Sequence, residues 1–436
     1  MNIYVNEYPY HGMDWHMDST EIVLHKNLSF MQPSQKPYLT TLTPLRGIAA
    51  LLVVVFHSNL MVMGFVPPGY TKLLDFGWLW VDFFFILSGF IMCYVYGRDF
   101  EHVVTRGNYW KFIGARFARI YPIHLFTLVW ASIMTAIVLS YARGLDPFFQ
   151  EMFNLGAIPS SLVLLQGMHL YTSAPLNTPS WSLSTEWWMY MIFPFLVPYF
   201  TNVRSVWKIV TVILIVAGYV GLKYGLGDGK GPFGYSINFV ADWGFIRCFL
   251  GFAIGMLVYD LYKAGTGYTL FKSSISFAIS FLGALVAMHL GIDDMLTLAF
   301  FPFIILCAAY NGTQVKRMLD WKPLQRLGDW SFSIYMVHIP IAYFFTIWSV
   351  RQNPTLFADF MKLVTTPPDL ALGWKLCIGL VALTLIVASL TYRYVEIPAR
   401  NYLNKRFQTR RTPLVVEEAK AQLIFHDASS ARQAHR

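Results

Sequence analysis

Two ionisable residues inside one apolar stretch hold the chemistry this sequence offers most plainly. In LTPLRGIAALLVVVFHS, residues 42–58, Arg46 and His57 stand 11 positions apart. On a helix they lie about 20° apart around the axis and about 16 Å apart along it, so they share one face. An arginine near a membrane surface attracts anions, and a neutral imidazole deeper in is a proton acceptor near pH 7. The alternative is an arginine that only marks the inner surface and a histidine hydrogen-bonded between helices. The shared stripe favours chemistry, because ionisable groups inside membranes are usually functional.

Five further clusters offer candidates. In KFIGARFARIYP, residues 111–122, Arg116 and Arg119 are three apart and are expected to point together. A forked arginine pair suits phosphate groups, although each arginine alone reads as a topology signal. In VDFFFILSGFIMCY, residues 81–94, Asp82 opens a helix from the outer side. Ser88 is placed to hydrogen-bond across helices, and Gly89 lets a backbone or ligand approach. A helix cap and a packing notch explain the same residues equally well.

In NTPSWSLSTEWWMYMIFPF, residues 177–195, Trp181, Ser182 and Glu186 are expected at the outer mouth of a helix. A carboxylate beside aromatic rings can hold a sugar, with rings stacking and the carboxylate accepting from hydroxyls. An aromatic belt with an acid at a helix start is the plainer account. In LGDWSFSIYMVHIPI, residues 327–341, Tyr335 and His338 are three apart. In YRYVEIPARNYL, residues 392–403, Glu396 and Pro398 close the final helix. Of these last two clusters, His338 is the better functional candidate.

The elements that must position these residues are membrane helices. The chain is 56% hydrophobic and 13% charged, against about 25% charged in soluble domains. Apolar runs of about 20 residues, enough to cross a bilayer, fall near 45–65, 77–97, 117–141, 185–202, 207–223, 244–262, 274–291, 294–311, 330–350 and 373–394. Residues 155–169 are too short and broken to cross and read as interfacial or re-entrant. The expected fold is an all-α integral membrane protein of about ten transmembrane helices.

The net charge of +9 does not indicate nucleic acid, because the basic residues are distributed by loop. Lys72, Arg143, Lys223, Lys230, Arg247, Arg351, Lys362 and Lys375 fall in one set of alternate connections. The other 25 of the 33 lysines and arginines fall in the other set and the two ends. The richer side is expected to be cytoplasmic, with both termini on it. This divides the chain into a cytoplasmic segment 1–40, a membrane domain 41–402 and a basic cytoplasmic tail 403–436. Cys93, Cys248, Cys307 and Cys377 lie in apolar runs with no paired spacing, so neither a disulfide frame nor a metal site is expected. No cleavable signal peptide is visible in the polar first 40 residues.

Taken in order, LRGIAALLVVVFH, VDFFFILSGF, RFARIYP, WSLSTEWWMY, SFSIYMVHIPI and YVEIPAR resemble the characteristic segments of the acyltransferase-3 family of integral membrane O-acyltransferases. The resemblance covers roughly residues 41–402. It implies transfer of an acyl group, with acetyl expected, from cytoplasmic acyl-coenzyme A to a hydroxyl. The implied acceptor is a sugar in a surface polysaccharide, a lipid-linked glycan or an oligosaccharide. The essential Arg-X10-His pair of the family falls on Arg46 and His57, its arginine pair on Arg116 and Arg119, and its Trp-Ser-Leu-x-x-Glu segment on Trp181, Ser182, Leu183 and Glu186. The soluble hydrolase-like extension of some members is not seen in this sequence.

On this basis His57 and Glu186 are the expected catalytic residues. Arg46, Arg116 and Arg119 are expected at the coenzyme A phosphates. Asp82, Trp181, Ser182 and His338 are expected at the substrate. Expected partners are acyl-coenzyme A as co-substrate, a carbohydrate acceptor and the lipid bilayer of the cell membrane, with no resident cofactor. Direct transfer and a short-lived acyl-enzyme both stay open. The rival class is a multi-pass secondary transporter, which predicts paired broken helices in two similar halves; the sequence has no such halves. A signalling receptor leaves the stripe from Arg46 to His57 unexplained.

Overall fold

Apolar sequence with few breaks makes long helices, and the chain follows that rule throughout. The computed structural model describes residues 39–409 apart from 63, 68, 203–204, 228, 230–233, 311–313 and 360–368. The expected N-terminal segment and most of the basic tail therefore lie outside the described residues. Within them the longer helices are α1 Leu42–His57, α2 Trp80–Phe100, α3 Arg106–Tyr141, α4 Ser180–Asn202, α5 Ser205–Val220, α6 Gly244–Lys263, α7 Ser274–Leu290, α8 Phe300–Tyr310, α9 Ser331–Gln352, α10 Leu370–Thr391 and α11 Ile397–Thr409. No strand occurs among the described residues.

Among the described residues seven continuous helical stretches are long and apolar enough to cross a membrane: Leu42–Val62, Gly77–Phe100, Arg106–Tyr141, Val206–Leu226, Gly244–Lys263, Ser331–Gln352 and Leu370–Phe407. Two shorter apolar helical stretches, Ser274–Leu290 and Asp294–Tyr310, accompany them. α4 covers the remaining expected run, with Pro194 and Pro198 inside it. The third run is longer than the sequence indicated. Thr105 accepts a hydrogen bond from the backbone of Asn108 and starts α3 there. At 36 residues α3 is about 54 Å long, well beyond about 30 Å of hydrocarbon.

The connections gather at two ends. At one, Lys263 pairs with Glu101 at 3.0 Å, Lys208 with Asp260 at 2.6 Å, and Gln325 donates to the Thr40 carbonyl at 3.1 Å. At the other, Lys72 N–H donates to His289 O, Arg143 N–H to Pro354 O, and His169 N–H to Ala241 O. Basic-rich connections thus meet one another, and basic-poor connections meet one another.

Residues 155–169 form a 3-10 turn, Leu155–Ala157, and one short helix, Ile158–Leu162, neither long enough to cross. The segment and the connection after it are stitched to the helices through buried backbone carbonyls. Leu164 and Leu176 have positive φ, 57° and 60°, which turns their carbonyls outward from any regular pattern. Leu164 O accepts from Ser184 Oγ at 2.6 Å and Trp188 Nε1 at 2.8 Å. Leu176 O accepts from Tyr343 OH at 2.5 Å.

Small residues set a close helix crossing between α2 and α6. A Cβ on Gly89 would strike the Phe252 carbonyl, and one on Gly255 would strike the Ile86 carbonyl. α2 and α6 therefore touch backbone to backbone. The four cysteines are buried and form no disulfide among the described residues.

Candidate active site

His57 is the last residue of α1, immediately before a π-helical turn, Ser58–Val62. Such wide turns interrupt the regular ladder and recur at functional positions. Because α1 is unbroken from Leu42 to His57, Arg46 stands on the same face as His57, three turns away.

His338, 281 positions further on, meets His57 across the interface of α1 and α9. His338 Nε2 lies 3.1 Å from His57 Nδ1, and the ring centroids are 5.0 Å apart. The partners fix the tautomers. His57 Nδ1 also lies 3.1 Å from the Val53 carbonyl, which can only accept, so Nδ1 carries the proton. His338 Nδ1 lies 3.3 Å from the Ile334 carbonyl, so it too is protonated. The Nε2 lone pair of His338 then faces His57 Nδ1–H. This leaves Nε2 of the half-buried His57 as an open acceptor among the described residues, with His338 fully buried behind it. A proton taken at Nε2 places positive charge on a ring whose other N–H already points at two acceptors.

α9 is shaped at this point by Pro340. Proline has no N–H, so the carbonyl four residues earlier, Met336 O, lacks its helical donor. Asn177 supplies it, with Nδ2 donating at 3.0 Å. The stitched segment before α4 thereby completes the helix that carries His338.

The other sequence candidates are placed as follows. Glu186 lies inside α4 and accepts from Ser88 Oγ and, at 2.5 Å, from Tyr190 OH. It is not at an outer mouth, because α4 begins at Ser180 and carries it nearly two turns in. Ser182 shares a 2.7 Å hydrogen bond with Tyr335 OH, one turn before His338. Trp181 is buried against Phe85 and beneath the Arg247 guanidinium, 5.5 Å from its ring.

Arg116 and Arg119 do not point together. Arg116 is buried and donates to Tyr96 OH at 2.8 Å, with its guanidinium over the Tyr96 ring. Arg119 pairs with Glu396. Three residues along α3 leave the two only about 60° apart, so their partners part them: Arg116 turns onto Tyr96 of α2, and Arg119 onto Glu396 in the π-turn Tyr392–Glu396 that precedes α11. Asp82 is bound on both oxygens by Arg247, at 2.9 Å and 2.6 Å.

Three residues at these sites were not singled out from sequence. Arg247 carried one signal, a lone charge within the apolar run GFIRCFLGF. Asn177 carried another, an amide two positions before Pro179 at a helix start. Arg400 lay within the closing segment YVEIPAR but read as surface charge. Among the described residues no group of three or more His, Cys, Asp or Glu could hold a metal ion.

Fold and site together define a helical, multi-pass membrane protein with a hydrogen-bonded histidine pair held between two helices. Residues 42–393 match a family model described as an acyltransferase domain. The chain belongs to the acyltransferase-3 family and is a membrane-bound O-acyltransferase. It is 26% identical over 398 residues to acyltransferase MdmB of Streptomyces mycarofaciens, covering 87% of this chain and 96% of that one. It is 22% identical to YrhL of Bacillus subtilis (strain 168), provisionally named a peptidoglycan O-acetyltransferase, covering 86% of this chain and 56% of that one. With O-acetyltransferase OatA of Staphylococcus aureus (strain NCTC 8325 / PS 47) the identity is 21%, over 87% of this chain and 61% of that one. The chain thus spans less than two thirds of the length of the last two. No solved structure matches.

Proposed function

We propose that this chain moves an acyl group, normally acetyl, from cytoplasmic acyl-coenzyme A to a carbohydrate hydroxyl at the cell membrane. The observation that carries this reading is His57, its Nδ1 held by Val53 O and His338, on the helical face it shares with Arg46. The donor enters from the basic-rich end. Arg46 of α1 and Arg119 of α3 attract its phosphates, and the thin pantetheine arm follows α1 for about 16 Å to His57.

At His57 the steps balance simply. Nε2 takes the proton of the acceptor hydroxyl as that oxygen bonds to the thioester carbonyl carbon. The C–S bond then breaks, and the departing thiolate takes the proton back from His57. His338 Nε2 and Val53 O steady the imidazolium that exists between these steps, as an orienting partner does in catalytic triads. Glu186 stands close enough to Ser88 and Tyr190 to order the polar groups around the acceptor. The provisional name of YrhL and the O-acetyl activity in the name of OatA support an oxygen acceptor on a glycan.

The same reading gives ten membrane crossings with both termini in the cytoplasm. The charge asymmetry supports it, as does the grouping of basic-rich connections at one end. Residues 98–116, 312–329 and 400–436 then face inward, and 66–76, 142–180 and 352–372 outward.

The test uses purified protein in lipid vesicles, a panel of radiolabelled acyl thioesters and a set of oligosaccharides. Acceptor-dependent release of coenzyme A, with label in the sugar, is expected. Absence of both across the panel rejects the donor. Labelling of a single cysteine at 105 or 320 from outside intact cells rejects the orientation.

A further inference from the structure

A single carboxylate at the basic-rich end of the molecule serves two arginines. Glu396 is 1% exposed and closes the π-turn between α10 and α11. Its Oε2 accepts from Ser333 Oγ at 2.8 Å. Its Oε1 takes Nη1 of Arg119 from α3 in a close ion pair, and Nη1 of Arg400, one turn further along, at 3.9 Å. The side chains of Arg119 and Arg400 remain 18% and 17% exposed.

One negative charge cannot neutralise two guanidinium groups, and the groups repel each other at this separation. The buried, serine-bound carboxylate therefore holds two forked donors side by side with positive charge to spare and an opening to solvent. Phosphate oxygens match that arrangement in charge and in geometry. Arg116 does not take part, since its guanidinium is turned onto Tyr96.

We propose that Arg119 and Arg400 form a phosphate-binding site at the junction of α3 and α11, filled by the phosphate groups of the acyl-coenzyme A donor. This rests on the donor reading above. Glu396 is the positioning residue of the site, and Ser333 holds Glu396. A phospholipid headgroup offers the same chemistry, and the experiment separates the two sources.

The measurement compares acetyl-coenzyme A with acetyl-pantetheine, which lacks every phosphate, as donors for the full-length purified protein. For Arg400→Gln, KM for acetyl-coenzyme A is expected to rise roughly 10-fold, the loss of one charge-assisted hydrogen bond. KM for acetyl-pantetheine should not move. Arg400→Lys, which keeps the charge and loses the fork, should lie between; it also serves if Arg400→Gln does not fold. Arg393→Gln, an exposed arginine against Tyr394, should match the unaltered protein with both donors. Equal losses with both donors would make Arg400 structural and overturn the site. An effect seen in vesicles rich in phosphatidylglycerol but absent in uncharged detergent would assign the site to lipid and overturn it as well. If the unaltered protein turns over neither donor, the donor reading itself fails. If it turns over acetyl-coenzyme A and Arg400→Gln has the same KM, only the phosphate site fails.

Discussion

Two buried polar pairs cross the helical core, and they differ in what they leave unsatisfied. Arg247 and Asp82 are both fully buried. Arg247 gives Nε and Nη2 to Asp82, Nη1 to Asn238 Oδ1 and the Phe239 carbonyl, and Nη2 also to Trp78 O. Indole rings of Trp78 and Trp181 lie 4.8 Å and 5.5 Å from its centre. Both carboxylate oxygens and all three guanidinium nitrogens are engaged, so nothing remains for a substrate. His57 and His338 satisfy three of their four ring nitrogens among themselves and two carbonyls, and hold the fourth open. A saturated pair fixes helices, whereas a pair with one open position can do chemistry. Asp82 looked from its residue type like a substrate contact; its partners make it a brace between α2 and α6.

The contrast breaks most decisively at His57. His57→Gln should lower acyl transfer by roughly 10²–10⁴-fold, the usual contribution of a general base, while the protein still inserts and folds. Label incorporation per folded molecule measures it. Near-normal turnover in this variant would move the histidine pair into the bracing class.

The brace should fail in the opposite manner. Asp82→Ala or Arg247→Met alone leaves a buried charge without its partner, at a cost of about 3–5 kcal/mol. Thermal unfolding in detergent should show the loss. The double variant Asp82→Leu with Arg247→Met should recover most of it, since neither charge is then left over. Single variants with unaltered stability and no turnover would show that this pair, too, is chemical.

His338 sharpens the comparison within the histidine pair. His338→Gln should reduce kcat roughly 10-fold, about one hydrogen bond to the charged intermediate, and leave KM for the donor unchanged. A rise in KM with constant kcat would mean that His338 touches substrate instead.

The smallest effect concerns the connection that leads into α4. Burial raises the Glu151 carboxyl, but hydrogen bonds from Thr172 and Ser173 outweigh it and hold the group below its usual value of 4.5. A depressed carboxyl contributes stability above that value and loses it as pH falls through its own lower one. Amide protection at Thr172 and Ser173, corrected for intrinsic exchange, should be flat from pH 8 to 5 and drop only in the acid range below. A decline beginning near neutrality would assign the loop's anchoring to another group.

The sequence was most informative where the relevant distance is short along the chain. The stripe from Arg46 to His57 follows from helical periodicity alone, because both residues sit in one uninterrupted helix. The apolar runs became helices for the same local reason, since a backbone in hydrocarbon must satisfy its own hydrogen bonds. Boundaries were less legible: α3 extends back to Arg106 because a capping threonine, not hydropathy, decides its start.

Pairings between helices followed from no pattern. His338 behind His57, Arg247 on Asp82, and Glu396 on Arg119 join residues that lie from 165 to 281 positions apart. Residue type named several of these groups but not their partners, so Arg116 and Arg119 read as one site although they turn to different neighbours. The sequence by itself determined which stretches are helical, which carry charge and which side chains share a helical face, because these depend on periods of a few residues. Which polar groups are satisfied, and which is left open for chemistry, only the tertiary structure decided, because a buried hydrogen bond needs its partner within about 3 Å and packing alone brings it there.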